Sequence, residues 1–167
     1  MLRTATEHDV DTIRRLRNQQ ANRDVSITSH EIGADEHAAW WAKASADPTR
    51  RVLIYERDGT TAGAVNFFDI EGSTGAWGFF LDADGLAARG ETLPAWIEVM
   101  REATTYAFDE LGLDVLTGEV LEHNTVVRQM NRRFHFTEGT PERRYADGRE
   151  ITVIPISLRT QDRRQGK

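Results

Sequence analysis

The stretch TLPAWIEVMREATTYAFDELGLDVLTGEVLEHN, at positions 92–124, decides the fold. Its first part carries an apolar stripe at helical spacing, with Thr92 placed to cap the helix and Gly112 placed to end it. Val115 to Leu121 then has the pattern of a strand, and Asn124 opens a short helix. A long amphipathic helix that leads directly into a strand predicts a crossover onto a β-sheet.

The residues before this helix predict an antiparallel meander. Val52 to Tyr55 is a strand candidate, and Asp58-Gly59 is a signal for a two-residue hairpin turn. Thr61 to Ile70 continues as the returning strand, and Gly75 to Leu81 makes a third strand. We expect an irregular loop from Asp82 to Glu91 between the third strand and the long helix.

The two ends of the chain complete the element order. Leu2 to Ala5 is a short strand candidate, followed by helices that begin near Thr6 and near Asp35. At the other end, Phe136 to Tyr145 and Arg149 to Leu158 have the pattern of two strands. This mixed order predicts an α+β domain, a single mixed β-sheet flanked by helices, over residues 1–159, with a polar tail over 160–167.

Composition excludes several classes of function. The 167 residues include no cysteine, which rules out disulfides, a thiolate zinc site and a cysteine nucleophile. With 21 basic and 27 acidic residues the net charge is −6, so general nucleic-acid binding is not expected. The apolar runs are too short for a transmembrane helix, and the start of the sequence has no secretory pattern. We therefore expect a cytoplasmic protein with no membrane partner.

Several stretches carry a resemblance to a known family. They are YAFDELGL at 106–113, GEVLEHN at 118–124 and RFHFTEG at 133–139, and, for one branch of it, Arg17-Asn18, Ile27 and EHAAW at 36–40. Together they resemble the GNAT superfamily of acyl-CoA-dependent N-acyltransferases over nearly the whole chain. The nearest branch contains aminosugar-nucleotide N-acetyltransferases and, further off, ribosomal-protein N-terminal acetyltransferases. The resemblance implies a centrally splayed sheet and acetyl-CoA as co-substrate.

Three positions depart from the pattern of that family. The pyrophosphate loop of the family, Q/R-x-x-G-x-G/A, is here AARGET at 87–92, in which only Gly90 matches. The glycine of the family's Gly-Phe pair is His135. A tyrosine that often serves as general acid is replaced by Asn131.

The resemblance implies which residues bind the cofactor. The backbone of Phe80 and Leu81, at the end of the third strand, would hydrogen-bond the pantetheine amides. The following loop and the start of the long helix would hold the pyrophosphate; the candidates there are Asp82, Ala88, Arg89, Gly90, Glu91 and Thr92. Asn124 would contact the cofactor, although the sequence alone favours its role as a helix N-cap. The alternative for the pyrophosphate stretch is an ordinary strand-to-helix loop. The alternative for the third strand is that its side chains only fill the core.

Two residues are candidates for catalysis. A primary amine has a pKa near 10 and must lose a proton before it attacks a thioester, so a carboxylate in a desolvated cleft is a suitable base. Glu119 matches the position of the base in some N-terminal acetyltransferases of the superfamily, and its alternative is an exposed glutamate on the strand. Glu122 and His123 are rivals. Asn131 could hydrogen-bond the leaving thiolate or could be an exposed helix residue.

The binding site for the acceptor, the amine that receives the acetyl group, is predicted to lie in the N-terminal helical region. Trp40 and Trp41 are adjacent and cannot both face the core of one helix, so one of them could stack on a sugar ring or nucleobase. The alternative is one buried and one half-exposed tryptophan. His30 and His37 lack metal-ligand spacing with a nearby carboxylate, so we expect no metal. The candidate acceptor-binding residues are Asn18, His30, His37, Trp41 and Asn66.

We therefore predict an N-acetyltransferase that acts on a primary amine by direct attack in a ternary complex, since no cysteine can carry an acyl group. The resemblance favours an amino sugar, either free or nucleotide-linked, as the small-molecule partner. A protein N-terminus is the rival acceptor. Two further hypotheses stay open, a non-catalytic acyl-CoA-binding domain and a plain interaction module, and so does a homodimer.

Overall fold

Eight strands form one mixed sheet in the computed structural model, which describes residues 1–163. The strands are β1 (Leu2–Thr4), β2 (Arg51–Arg57), β3 (Thr60–Glu71), β4 (Thr74–Leu81), β5 (Val115–Leu121), β6 (Thr137–Glu138), β7 (Glu142–Ala146) and β8 (Arg149–Arg159). Their order is β1-β2-β3-β4-β5-β8-β6, and β7 also pairs with β8. Every pairing is antiparallel except that of β4 with β5. The predicted mixed α+β architecture is confirmed.

Six α-helices accompany the sheet in this part of the chain. They are α1 (Val10–Arg17), α2 (Gln20–Asp24), α3 (Ala34–Ala44), α4 (Ala83–Arg89), α5 (Thr92–Thr105) and α6 (Thr125–Arg133). A 3-10 turn precedes α1, and a π-helical turn (Tyr106–Glu110) follows α5. None of the helices in residues 1–163 is long and apolar enough to cross a membrane.

Helices cover both faces of the sheet because the strands carry apolar side chains on both faces. In β2, Leu53 and Tyr55 belong to the large core that α5 covers, whereas Ile54 belongs to a smaller core. The smaller core also contains Ile13 of α1 and Ala44 of α3. Since successive strand residues point to opposite faces, α5 lies on one side of the sheet and α1 and α3 lie on the other.

The predicted hairpin turn at Asp58-Gly59 is confirmed. Both residues have positive φ, 51° and 75°, which is the backbone that a two-residue type I′ turn requires. The turn pairs Arg57 with Thr60 and so sets the register of β2 against β3.

The irregular loop predicted from Asp82 to Glu91 is in fact mostly helical. The Asp82 carboxylate accepts a hydrogen bond from the Gly85 N–H at 3.0 Å and so caps α4. Leu86 is fully buried and anchors the helix, and Gly90 ends it with a φ of 68°. The next helix, α5, has Glu91 rather than Thr92 at its N-cap.

The strand predicted from Phe136 to Tyr145 is interrupted, giving β6 and β7. Pro141 has no N–H to donate to a ladder, which favours a break there. The Gly139 N–H donates instead to the Pro155 carbonyl of β8 at 2.7 Å. Both short strands therefore pair with β8, at different places along it.

The start of the predicted polar tail contacts the rest of the chain. Residues Thr160 to Arg163 form a turn, and the Arg163 guanidinium donates to both oxygens of Asp109 at 2.9 and 3.0 Å. The other predicted tail residues, 164–167, lie outside the described residues.

The central strands separate, as predicted. β4 and β5 pair only through Thr74–Ala76 and Val115–Thr117. β4 then continues to Leu81 on β3, and β5 continues to Leu121 on β8, with no pairing between their later residues in the described sheet. A sheet that opens in this way exposes unpaired backbone groups along the edge of each strand.

Candidate active site

A cavity of about 700 Å³ lies where β4 and β5 separate. Its walls come from these two strands, from α4, α5 and α6, and from the N-terminal helices. A second cavity of about 310 Å³ lies beside it, between α1, α3 and β3. Five residues line both, so the two spaces are contiguous; they are Arg17, Thr28, Trp40, Asn66 and Phe80.

The hydrogen bonding of β4 decides which backbone groups face the larger cavity. The Asp82 N–H donates to the Ala62 carbonyl of β3 at 2.7 Å. Because hydrogen-bonded and non-hydrogen-bonded pairs alternate along an antiparallel ladder, Phe80 also points its backbone groups toward β3. Phe79 and Leu81 point theirs toward the cavity. The predicted pair Phe80 and Leu81 is therefore corrected to Phe79 and Leu81, and Phe80 contributes its side chain instead.

One of these groups already has a partner. The Asn22 side-chain amide donates to the Leu81 carbonyl at 2.8 Å and to the Leu16 carbonyl at the same distance. Asn22 thus ties the N-terminal helices to the open edge of β4. The Asp82 side chain is occupied as well, because it caps α4 and accepts from Gln19 at 2.7 Å.

The predicted pyrophosphate stretch is arranged differently from a glycine-rich loop. Of residues 87–92, Ala87 and Thr92 line the cavity, while Ala88 and Gly90 lie outside it. The Arg89 guanidinium faces Glu91 at 3.4 Å, and Glu91 also faces Arg57 at 3.4 Å. The groups that could bind a phosphate are therefore the first N–H groups of α5, at Thr92.

The two asparagines of the α6 region have different environments. The Asn124 side chain accepts a hydrogen bond from the Val127 N–H at 3.4 Å, so the predicted N-cap role is confirmed. Asn131 is 2% exposed, which contradicts the alternative of an exposed helix residue. The residue lines the cavity, and its Nδ2 is buried without a hydrogen-bond partner in residues 1–163. A buried donor of this kind is available to a ligand.

Glu119 lies on β5 and lines the same cavity. Its carboxylate is paired with Arg144 of β7, with 2.5 Å between Oε2 and Nη1, and its side chain is 39% exposed. The desolvated carboxylate that the sequence suggested is therefore not found, because β7 brings a guanidinium beside it. Arg144 also binds Glu142 at 2.8 Å. The rivals Glu122 and His123 are exposed and lie outside the cavity lining.

The acceptor side contains a buried histidine and one of the two tryptophans. His37 is 4% exposed and lines the smaller cavity, and its ring centre is 5.0 Å from that of Trp40. Burial lowers the pKa of His37, so the ring is neutral at pH 7. Trp40 lines both cavities, whereas Trp41 packs against the smaller core. The structure thus offers Trp40, and not the predicted Trp41, to an acceptor.

Two asparagines are also predicted to bind the acceptor amine, and only one of them lines the cavities. Asn66 lines both cavities, and its Oδ1 is buried without a hydrogen-bond partner among the described residues. The Asn18 side chain is satisfied by the backbone of Ile32, at 2.9 and 2.8 Å, away from both cavities. Asn18 therefore holds the loop before α3 in place.

His30 is also placed outside the two cavities. Its ring nitrogens lie 3.0 Å from Asp147 and 2.7 Å from Glu36. These two carboxylates raise the pKa of His30. The residue links the loop before α3 to the turn between β7 and β8, so the structure gives it a bracing position.

Sequence analysis did not select Arg17, the last residue of α1, as a site residue, although Arg17-Asn18 contributes to the resemblance to the family branch. It lies one helical turn after the buried Ile13 and therefore on the inner face of the helix, which is a signal the sequence contained. Its Nη2 donates to the Thr28 carbonyl and, at 3.2 Å, to the Thr28 hydroxyl. Its Nη1 is buried and has no hydrogen-bond partner within residues 1–163. Burial lowers the pKa of Arg17.

No group of three or more histidine, aspartate or glutamate side chains in the described part of the chain is arranged to hold a metal ion. The sequence-based expectation of no metal stays a prediction.

Comparison with known proteins completes the description of the site. The Acetyltransferase (GNAT) domain family matches residues 1–137. The crystal structure of spermidine N-acetyltransferase from Vibrio cholerae, in complex with CoA and spermine, is similar over 98% of this chain and 96% of that chain, with 16% identity and a TM-score of 0.81. An N-acetyltransferase from Staphylococcus aureus Mu50 is similar over 95% and 97%, with 17% identity and a TM-score of 0.74. Among curated protein sequences there is no significant match.

Proposed function

The chain belongs to the GNAT acetyltransferase family, and from that membership we propose that it transfers acetyl from acetyl-CoA to the primary amine of a small molecule. The family match makes it an acetyl-CoA-dependent acyltransferase. The observation that carries the proposal is the separation of β4 from β5 after Ala76 and Thr117, with a cavity between them. That opening is long enough for a flexible acyl-carrying arm to lie along the unpaired edge of β4.

The residues present fit the arm of acetyl-CoA. The backbone of Phe79 and the Leu81 N–H face the opening and can pair with amide groups, as in the addition of a strand, whereas the Leu81 carbonyl is bound by Asn22. Gly78 leaves open space, since a Cβ at this position would meet no atom within 4 Å. The N-terminus of α5 at Thr92 is the element suited to the pyrophosphate. The thioester supplies an activated acetyl group, and the chain supplies its position.

Glu119 is proposed as the group that takes the proton from the amine. An amine with an ordinary pKa near 10 arrives as ammonium, and only its deprotonated form can attack a carbonyl carbon. Glu119 is the one carboxylate among the described residues that line the larger cavity. Its pairing with Arg144 fixes the position of the carboxylate at the wall of the cavity.

Asn131 is proposed to hydrogen-bond the leaving sulfur. An amide N–H can stabilise a thiolate but cannot transfer a proton to it. A hydrogen bond without proton transfer is sufficient for the departure of the sulfur, because a thiol has a pKa near 8.5 and can leave as the thiolate. With no cysteine in the chain, the amine attacks the thioester directly and no cysteinyl intermediate forms. The nitrogen loses its second proton to water as the carbon–sulfur bond breaks, and the released thiolate takes up a proton from water.

The acceptor class proposed from the family branch is an amino sugar. Trp40 supplies an aromatic wall for a sugar ring, and the Asn66 side-chain oxygen supplies a buried hydrogen-bond acceptor for a hydroxyl or amine. A protein N-terminus is the rival acceptor. A non-catalytic acyl-CoA-binding domain is the rival function, which the altered pyrophosphate stretch favours.

Release of free CoA from acetyl-CoA tests the proposal across amino sugars, nucleotide-linked amino sugars, peptides and polyamines. We expect release with a small primary amine and acetylation of that amine by mass spectrometry. Binding of acetyl-CoA without release for any amine would favour the non-catalytic domain. Absence of binding would exclude both, since a ligand at about 100 times its Kd stabilises a protein by about 2.7 kcal/mol and would be seen in a thermal-shift measurement.

A further inference from the structure

We infer that the acceptor amine also carries an oxyanion, a carboxylate or a phosphate, which the guanidinium of Arg17 binds. The inference rests on the proposed function and narrows its substrate class. It begins from Arg17 itself, which lines both cavities at their shared wall. A ligand that spans the two spaces must pass this side chain.

No carboxylate of the described residues lies within ion-pair distance of the Arg17 guanidinium; those of Asp147 and Glu36 act on it only from further away, and both are bound by His30. The hydrogen bonds of Arg17 go to the neutral Thr28, and it forms no ion pair among the salt bridges of residues 1–163. The buried Nη1 has no partner at all in this part of the chain. The Arg17 side chain as a whole is partly buried, but a buried donor of a charged group that has no partner is costly, and a ligand that supplies an anion would remove this cost.

The carboxylates that line the two cavities do not supply the anion that Arg17 lacks. Glu36 lines the smaller cavity, but its carboxylate is bound by His30 at 2.7 Å. Glu119 lines the larger cavity and is bound by Arg144. Arg50, a second arginine of the larger cavity, lies over the Phe68 ring at 5.3 Å and adds to the positive charge. The described lining thus contains two arginines and two glutamates, and because both glutamates are paired with residues outside the lining, the two guanidinium groups have no ion pair there.

The chemistry of the site fits an oxyanion in particular. A guanidinium presents N–H groups in a planar fork that matches a carboxylate or phosphate. The buried Oδ1 of Asn66 offers an acceptor to the ammonium or hydroxyl groups of the same ligand. A volume of about 310 Å³ suits a molecule the size of an amino acid or a sugar phosphate. A polyamine, which is positively charged throughout, is disfavoured by the same arginine.

The test compares amines that differ only in the oxyanion. One pair is glucosamine 6-phosphate and glucosamine, and the other is leucine and leucinamide. For the wild-type protein we expect that, in one of the two pairs, kcat/KM is at least about 100-fold higher for the amine with the oxyanion than for the amine without it. A preference within the glucosamine pair identifies the oxyanion as a phosphate. A preference within the leucine pair identifies it as a carboxylate. Loss of a partner from a buried charge pair has effects of this size.

Two arginines provide a matched comparison. Arg23 donates to the Ser29 carbonyl at 3.0 Å, in the same loop that Arg17 supports, but lies outside both cavities. We expect R17Q to lower the charged-to-neutral ratio of kcat/KM about 100-fold, R17K to lower it less, and R23Q to leave the ratio unchanged. An equal loss in R17Q and R23Q would mean that Arg17 only supports the loop.

Binding measured by calorimetry in the presence of CoA makes the inference independent of turnover. Tighter binding of the charged member to wild type, lost in R17Q, supports the inference even when no acetylation is found, in which case the proposed function alone fails. Turnover or binding of glucosamine and leucinamide as strong as that of their charged partners would overturn it. So would the absence of binding by all four amines.

Discussion

The Glu119 carboxylate of β5 lies 2.5 Å from the Arg144 guanidinium of β7, and both strands pair with β8. The proposed base is thus held by a strand that sequence analysis did not connect with it. Arg144 also binds Glu142, which lies outside the cavity lining. The two glutamates share one arginine, but of the two only Glu119 lines the cavity.

This relationship gives a controlled test of the base. We expect E119Q to lower kcat by about 10²–10⁴-fold, because the amide cannot take the proton from the amine. E142Q removes an ion pair to the same arginine and should leave kcat within a factor of about 3, since exposed pairs contribute little. Steady-state CoA release at saturating acetyl-CoA makes the comparison. An E119Q protein with the wild-type rate would remove Glu119 from the mechanism.

Asn131 should separate catalysis from stability. Its buried Nδ2 makes no hydrogen bond within the described residues, so a leucine of similar size loses none there. We expect N131L to raise the free energy of unfolding by about 1 kcal/mol, because an unsatisfied buried polar group costs about 1–3 kcal/mol. The same variant should lower kcat by about 10–100-fold through loss of the donor to the thiolate.

Urea unfolding and CoA release on the same N131L sample measure both effects. A fall in stability with an unchanged kcat would mean that Asn131 is a structural residue.

His135 stands where the family pattern has glycine, and its backbone shows why glycine suits this position. Its φ is 69°, in the left-handed region. Its N–H donates to the Arg132 carbonyl, and the Phe136 N–H donates to the Asn131 carbonyl, both at 3.0 Å, which closes α6 with a Schellman motif. A residue with a Cβ is strained in this conformation.

We expect H135G to raise the free energy of unfolding by about 0.5–1 kcal/mol, since relief of the strain is partly offset by the greater freedom of glycine in the unfolded chain. H135A keeps the Cβ and should give no such gain. Denaturant midpoints of the two variants test this, and equal values for glycine and alanine would argue against strain at this position.

His30 predicts a pH dependence of stability. Asp147 and Glu36 raise its pKa above the ordinary value of 6.5 in the folded protein. A group with a raised pKa contributes stability that is fully present below the unfolded value and is lost as the pH rises through the folded value. The difference in Tm between wild type and H30Q should therefore be largest just below pH 6.5 and decline at higher pH.

The contribution of Asp147 to stability changes with pH in the opposite direction. Hydrogen bonds from His30 and Ser29 lower the pKa of Asp147 to about 2, so its contribution is lost as the pH falls below 3.8 toward that value. His123, whose ring contacts the Asp24 backbone carbonyl, provides the control variant H123Q. A Tm difference for H30Q that stays constant from pH 5 to 9 would contradict the prediction.

The local pattern of the sequence determined the elements and much of the framework. The Asp58-Gly59 turn, the apolar stripe of α5 and the cap at Asn124 depend on backbone preferences and on the spacing of nearby residues, which a sequence states directly. The helix α4 was missed although its signals were present, since Asp82 caps it and Gly90 ends it. The resemblance to the family supplied the separation of the central strands.

Only the tertiary structure decided the environment of each candidate side chain. The pairing of Glu119 with Arg144, the burial of Asn131, the choice of Trp40 over Trp41 and the unpaired Arg17 all depend on residues far apart in the chain. Periodicity reports which face of an element is buried, but charge pairing and burial depend on what another element places against that face. For this reason the fold could be predicted from the sequence, and the chemistry of the acceptor site could not.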